Sequence, residues 1–270
     1  ASTSAGPLRQ MPVSVQDLSY AGLPLVPAYE ILGDGKYLDR AWQLIDFILN
    51  SPYCQNGKFV ADALTPDYDC EVYFESEDVN LVTILDFLGC LYIPALASSP
   101  KELQTTERLN ALTGLCDFLV ENFRGKGGVF WNSRTNRQMF MAKHVDMGHT
   151  AKAYGALWDA NSLLQRLTGE SRYLADLESF VGMLISASDE KIGWKTDFSE
   201  EGKLEVRSLE WWRHIVLNQV SARYAARYPE VIQPLMNGIR TWFELEYIDR
   251  GRPCRGIRQR LNQDGHCEDV

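Results

Sequence analysis

Apolar residues recur at three- and four-residue spacing along most of the chain, and sustained alternation is nearly absent, which predicts a mostly helical protein. The first stripe runs from Gln16 to Leu32, where Pro24 and Pro27 should bend or break it. Tyr37 to Asn50 is a second helix, with Leu38, Trp42, Ile45 and Leu49 on one face. Gly57 to Phe74 is a turn-rich excursion in which KFVADAL and EVYF read as short strands; an apolar helix from Glu77 to Ala97 and an amphipathic one from Leu103 to Phe123 follow. The same order then returns. GKGGVFWN and RQMFMA suggest two strands around a polar turn, and Met147 to Leu167 a helix. Tyr173 to Ser188 is helical, GWKTDF and KLEVRS form another hairpin, and Ser208 to Tyr228 and Pro229 to Tyr247 are helices. RGRPCRGIRQRLNQDG is the last excursion.

Each cycle is therefore helix, β-hairpin, helix. GDGKYLDRAWQLIDFIL from Gly33 matches GESRYLADLESFVGMLI from Gly169 in its opening Gly-acid-x-x-Tyr-Leu and in later apolar positions. The offset of 136 residues is two cycles of 68. Helical hairpins repeated in this way bury their faces only against neighbours, so the expected fold class is all-α: an (α/α) toroid or a partial (α/α)6 barrel with short β-hairpins at one rim. Residues 1–10 are expected to be a flexible segment and 11–270 a single toroid domain. The inner ring is assigned to the helices that follow hairpins (Leu81 to Leu96, Ala153 to Leu164, Trp211 to Val220), and their first turns should converge where a pocket would lie.

At 270 residues, 45% hydrophobic and 23% charged, the chain is globular. Charged residues and prolines break every apolar run, which argues for a soluble protein without a membrane span. Thirty-six acids against 27 Lys and Arg give a net charge of −9, which disfavours nucleic acid as a partner. The six cysteines are too few for a disulfide scaffold. Cys90 and Cys116 fall in helix-like patterns and read as buried thiols, while Cys54 with Cys70 and Cys254 with Cys267 could close local loops in an oxidising compartment. The first residue is Ala1, consistent with processing or trimming, and no Asn-x-Ser/Thr sequon occurs, so a cytoplasmic location is expected.

The inner-helix starts gather Glu75, Glu77 and Asp78; His144, Asp146, His149 and Lys152; and Glu205, Glu210, Trp211, Trp212, Arg213 and His214. Acids at a helix start also serve as caps, so Asp78, Asp146 and Glu210 have a structural explanation beside a functional one. His149 follows Gly148 and opens an apolar helix, where a ring nitrogen can act as base or hydrogen-bond a hairpin carbonyl. His144-x-Asp146-x-x-His149 matches no helical metal-ligand spacing, so no metal is expected. Trp211 and Trp212 point about 100° apart on a helix, leaving one for the lumen as a sugar-stacking face or as core. Five arginines between Arg250 and Arg260 read as a solvated hairpin, one or two of which could clamp a carboxylate or phosphate. No phosphate-cradling glycine loop is present, and no cofactor is called for.

On these residues the chain resembles the N-acylglucosamine 2-epimerase superfamily. GHTAKAYGALWDANSLL is similar to its Gly-His inner helix, LEWWRHIVLNQVSARY to its paired-tryptophan helix, and Gly169 to Leu174, Glu246 to Asp249 and Asp264-Gly265 to its recurring turns. The resemblance covers roughly residues 143–265 and implies an (α/α)6-type barrel whose two histidines move a proton beside the carbonyl of a ring-opened sugar. His149 matches one of them. The family acid three positions after it is Lys152 here, the acid four positions after the second tryptophan is Val216, and the second family histidine is expected beyond Val270. About four cycles stand where the family has six, so the expectation is a ring that is open, truncated or completed by another chain, as in a homo-oligomer. The expectation is a carbohydrate-active isomerase or epimerase with His149, His214 and Lys152 as catalytic candidates and Trp211, Trp212, Glu210, Asp146, Asp78 and Arg213 as substrate-binding candidates. Its partner would be a small sugar or polyol. The alternatives are a glycoside hydrolase or lyase using Asp78 and Glu210, whose separation would decide, or a degenerate toroid that only binds a ligand or partner.

Overall fold

Ser14 starts the first helix by accepting from the Asp17 N–H at 2.9 Å, and proline chemistry then divides the stripe that follows. In the structure, a computed structural model that describes residues 13–52, 54–55, 58–60, 63–64, 70–71, 79–131, 146–198, 204–205, 209–244 and 260–261, α1 (Val15–Gly22) stops before Pro24 and α2 (Leu25–Leu32) restarts after it. Pro27 does not break α2, because it sits in the first turn, where its missing N–H would have had no helical partner. Gly33 ends α2 in the left-handed region at φ 68°, and Asp34 caps α3 (Gly35–Asn50). Gly169, its counterpart in the repeat, also has positive φ, 82°. The Gly-acid-x-x-Tyr-Leu signature thus marks a helix end followed by a helix start.

The chain continues through α4 (Leu81–Asp86), a π-helical turn at Phe87–Tyr92, α5 (Ile93–Ser98) and α6 (Thr106–Phe123). Then come α7 (Met147–Thr168), α8 (Leu174–Ala187), α9 (Trp211–Ala225) and α10 (Ile232–Glu244). The π turn precedes Pro94, which lacks the N–H that an α-helical register would offer to the Cys90 carbonyl. Leu81–Ser98 is by length and composition apolar enough to cross a membrane, although Asp86 and Pro94 interrupt it, and 67% of it is buried inside the protein. It is a core helix.

Among the described residues the named strands are two residues long and pair antiparallel. β1 (Val13–Ser14), β4 (Ala63–Leu64) and β5 (Cys70–Glu71) form one ribbon in the order β1-β4-β5, and β2 (Cys54–Gln55) pairs with β3 (Lys58–Phe59). β6 (Ser188–Asp189) pairs with β7 (Gly193–Trp194), β8 (Asp197–Phe198) with β9 (Leu204–Glu205), and β10 (Leu209–Glu210) with β11 (Arg260–Leu261). The expected GWKTDF/KLEVRS hairpin is the β8–β9 pair. The RQMFMA strand lies outside the described residues.

Two compact units make up the chain. The first holds α1 to α6, β1 to β5 and the end of α7 from Ser162; the second holds residues 124–131, α7 up to Asn161, α8 to α10 and β6 to β11. In the first, the core runs through Val15, Leu38, Ile45, Ile84, Leu91, Leu96, Leu115 and Leu119. Ile48, not Leu49, completes the buried face of α3. Trp42 donates its indole N–H to Ser99 Oγ at 2.9 Å and carries the Arg108 guanidinium over its ring at 3.5 Å. In the second unit Tyr154 stacks on Phe180 with centroids 4.2 Å apart, and Trp194 donates to Asn218 Oδ1 at 2.8 Å. Cys116 is buried and Cys90 half-buried. Both loop-closing pairings involve cysteines whose side chains lie outside the described residues.

Candidate functional site

The first turn of α7 must place N–H groups that no helical carbonyl can satisfy. Met147 gives its N–H to the Thr196 carbonyl at 2.9 Å, and the His149 N–H goes to Asp146 Oδ1 at 2.8 Å. Asp146 is therefore the cap of α7, as its position in the sequence suggested. An isolated bridge between Asp146 and Asp197 ties this helix start to β8.

The same carboxylate does a second thing. Its Oδ2 lies 2.6 Å from His149 Nδ1. Burial pushes the Asp146 carboxyl up, but the charge and hydrogen bonds of His149, with Arg213 behind them, outweigh burial and hold it below the usual carboxylate range. An ionised carboxylate only accepts hydrogen bonds, so the contact assigns the proton to Nδ1, which donates to Oδ2. In the neutral ring this leaves the Nε2 lone pair as the basic position, and in the charged ring Nδ1–H still donates to Oδ2. Asp146 is 2% exposed and His149 19% exposed, so the holder is buried and the held group reaches the surface.

α9 covers this helix start. Trp212 sets its ring 4.9 Å from that of His149, centroid to centroid, at a tilt of 53°. Arg213 turns inward, with Nη1 2.6 Å from Asp197 Oδ1 and Nε 4.0 Å from Asp146 Oδ1. Thr196 Oγ1 donates to the other Asp197 oxygen at 3.1 Å. Gly148 is what permits the approach: a Cβ there would stand 2.8 Å from Arg213 Cγ, 2.9 Å from Trp212 Cζ3 and 3.0 Å from Asp146 Oδ1. The Gly-His pair of the sequence is thus a packing requirement next to a chemical group.

The structure brings together Asp146, His149, Trp212 and Arg213, and adds Asp197 and Thr196 from the GWKTDF segment. Lys152 lies one turn along α7 from His149 and is partly exposed. His214 departs from the expected position: it is fully buried, and burial, with Arg213 adding, pushes its imidazole down to about 3, so it is a neutral interior ring. Arg213, expected to contact substrate, is buried in its pair with Asp197. Glu210 ends β10 and Trp211 begins α9, with side chains outside the described residues; Asp78 and His144 lie outside them altogether. Among the described residues no group of three or more His, Cys, Asp or Glu side chains could hold a metal ion.

No family model and no curated protein matches this sequence. Solved structures do. Cellobiose 2-epimerase from Bacillus thermoamylovorans superposes with a TM-score of 0.76 at 14% identity, over 95% of this chain and 66% of that one. A D-mannose isomerase gives 0.75 at 14% identity, over 96% of this chain and 66% of that one. An inactive variant of a Salegentibacter α-1,6-mannanase, in complex with α-1,6-mannotetrose, gives 0.57 at 12% identity, over 95% of this chain and 70% of that one. The chain thus spans about two thirds of the length of the epimerase and isomerase it resembles. It is an all-α protein with the α/α toroid fold that these sugar epimerase, isomerase and mannanase structures share.

Proposed function

We propose that this chain acts on reducing sugars, moving a proton at the carbon beside the carbonyl of the ring-opened form, with His149 as the base. The observation that carries the reading is the 2.6 Å contact between His149 Nδ1 and Asp146 Oδ2, which orients the ring and reserves Nε2 for a substrate proton. His149 Nε2 takes the proton, the C–H electron pair becomes the carbon–carbon double bond of an enediol(ate), and the carbonyl π pair moves onto oxygen. Lys152, one turn away, supplies a cation for that oxygen. The face of Trp212 beside His149 offers a stacking surface for the sugar. Return of the proton to the same carbon gives an epimer, and return to the neighbouring carbon interconverts aldose and ketose. The fold's neighbours include proteins named for both outcomes, a cellobiose 2-epimerase and a D-mannose isomerase.

Glycoside hydrolysis is the second reading, favoured by the likeness to an α-1,6-mannanase. It requires a carboxylic acid that keeps its proton near neutral pH. Asp146, with its carboxyl held low, is unsuited to that role, and the reading would rest on Asp78 and Glu210. Incubation with mannose, fructose, glucose, cellobiose and an α-1,6-linked mannose oligosaccharide, followed by NMR of the products, separates the possibilities. Epimers or ketoses that vanish with His149→Ala support the proposal. Chain cleavage would replace it with hydrolysis, and binding without any product would make the protein a sugar-binding toroid.

A further inference from the structure

Arg213 stands between two buried carboxylates, and only one of them serves His149. Its Nη1 is 2.6 Å from Asp197 Oδ1, while its Nε is held 4.0 Å from Asp146 Oδ1. Both oxygens of Asp146 are committed to His149, Oδ1 to the backbone N–H and Oδ2 to the ring Nδ1. A guanidinium matches a carboxylate best as a two-pronged pair, so an Arg213 released from Asp197 would compete for these same two oxygens. Its stem has little room to go elsewhere, because Gly148 already lies against Arg213 Cγ.

We propose that Asp197 is a positioning residue for His149: it holds the Arg213 guanidinium away from Asp146, so that Asp146 keeps the imidazole in the Nδ1–H tautomer. This rests on the reading of His149 as the base. Asp197 is suited to the task because its own place is keyed to the start of α7. Thr196 orients its second oxygen at 3.1 Å, the Thr196 carbonyl accepts the Met147 N–H, and the Asp146–Asp197 bridge joins the two backbones. The acid that selects the tautomer and the acid that restrains the competing cation thus move as one piece. With Asp197 lost, the buried guanidinium turns to the remaining carboxylate, Oδ2 leaves Nδ1, and the ring falls back to the Nε2–H tautomer that unrestrained imidazole prefers, which blocks Nε2 as a base.

The test reads the ring itself and needs no substrate. Full-length protein labelled with ¹⁵N-histidine is examined at alkaline pH by long-range ¹H–¹⁵N correlation, with His149→Gln assigning the signals. Wild type is expected to show a protonated Nδ1 and a bare Nε2. Asp197→Asn is expected to reverse the pattern in more than half of the molecules, and Asp197→Asn with Arg213→Gln to restore it, since the competing cation is then gone. A residue with only a structural role would give no such restoration. Wild-type tautomer in a folded Asp197→Asn protein, or failure of the double variant to recover it, would overturn the proposal. Should Asp197→Asn not fold, Arg213→Gln alone decides: retention of Nδ1–H supports the proposal and its loss overturns it. Failure of the proton-transfer reading would look different, with no product from any sugar and the tautomer response intact.

Discussion

Replacing Asp146 separates two jobs that one side chain performs. Oδ1 caps α7 through the His149 N–H, and Oδ2 holds the His149 ring. Loss of a cap costs about 0.5–2 kcal/mol, and a hydrogen bond to a charged group contributes about 1.5–3 kcal/mol. Asp146→Ala forfeits both, so it should destabilise the protein by about 2–5 kcal/mol. Asparagine caps about as well as aspartate, so Asp146→Asn should lose chiefly the charged bond and stay about 1 kcal/mol more stable than the alanine variant. The carboxyl is held low in the folded state, so its contribution is present above the unfolded carboxylate pKa of about 4 and is lost as pH falls through the folded value. The stability gap between wild type and Asp146→Asn should therefore narrow below about pH 4. Urea unfolding of all three proteins at pH 7, and of wild type and the asparagine variant down to pH 3, measures these differences. An asparagine variant as stable as wild type at pH 7, or a gap that stays constant across the acid range, would refute the electrostatic part of the argument.

Other substitutions probe the surroundings. Gly148→Ala should cost about 1–3 kcal/mol by overpacking, despite alanine's better helix propensity, because the new methyl meets Arg213, Trp212 and Asp146 at 3.0 Å or less; thermal unfolding checks it. His214 is pushed down to about 3 from 6.5, so the unfolded chain takes up a proton that the folded one refuses, and stability falls as pH drops below about 6.5. At pH 5 this amounts to about 2 kcal/mol, and His214→Leu should remove that part of the acid loss in paired urea titrations at pH 7 and pH 5. Trp212→Ala should weaken sugar binding and reduce any sugar-induced change in tryptophan fluorescence; an unchanged titration would take the ring beside His149 out of the binding site.

Helix positions were legible because burial on one face imposes a period that composition cannot hide. α3, α7 and α8 lie within a residue or two of where their apolar stripes predict, and the cut at Pro24 follows from the missing N–H and the ring clash. Where the reading departed, a local interaction had outweighed the period. Leu209 and Glu210 pair with β11, so α9 starts at Trp211 instead of Ser208. In the site, Gly-His and the cap at Asp146 were visible as sequence signals. Asp197 was not, because GWKTDF reads as a strand on its aromatic ends. The overlooked signal was the acid itself: aspartate is disfavoured in strands, and one between Trp194 and Phe198 needs a partner when buried. That partner, Arg213, lies 16 residues away on another element, and only tertiary structure supplies it. His214 was misplaced for a related reason. Adjacent residues on α9 diverge by about 100°, and the helix start alone does not say which of Trp212, Arg213 and His214 faces outward.

The central claim is that His149, held by Asp146, takes a proton from the carbon beside a sugar carbonyl. Incubating the protein with mannose, fructose and cellobiose in deuterium oxide and reading the sugars by mass spectrometry and NMR tests it most directly. The account predicts deuterium at the carbon next to the carbonyl with wild type, a loss of at least a hundredfold with His149→Ala, and a comparable loss with Asp146→Asn. Deuterium incorporation that survives His149→Ala would contradict it.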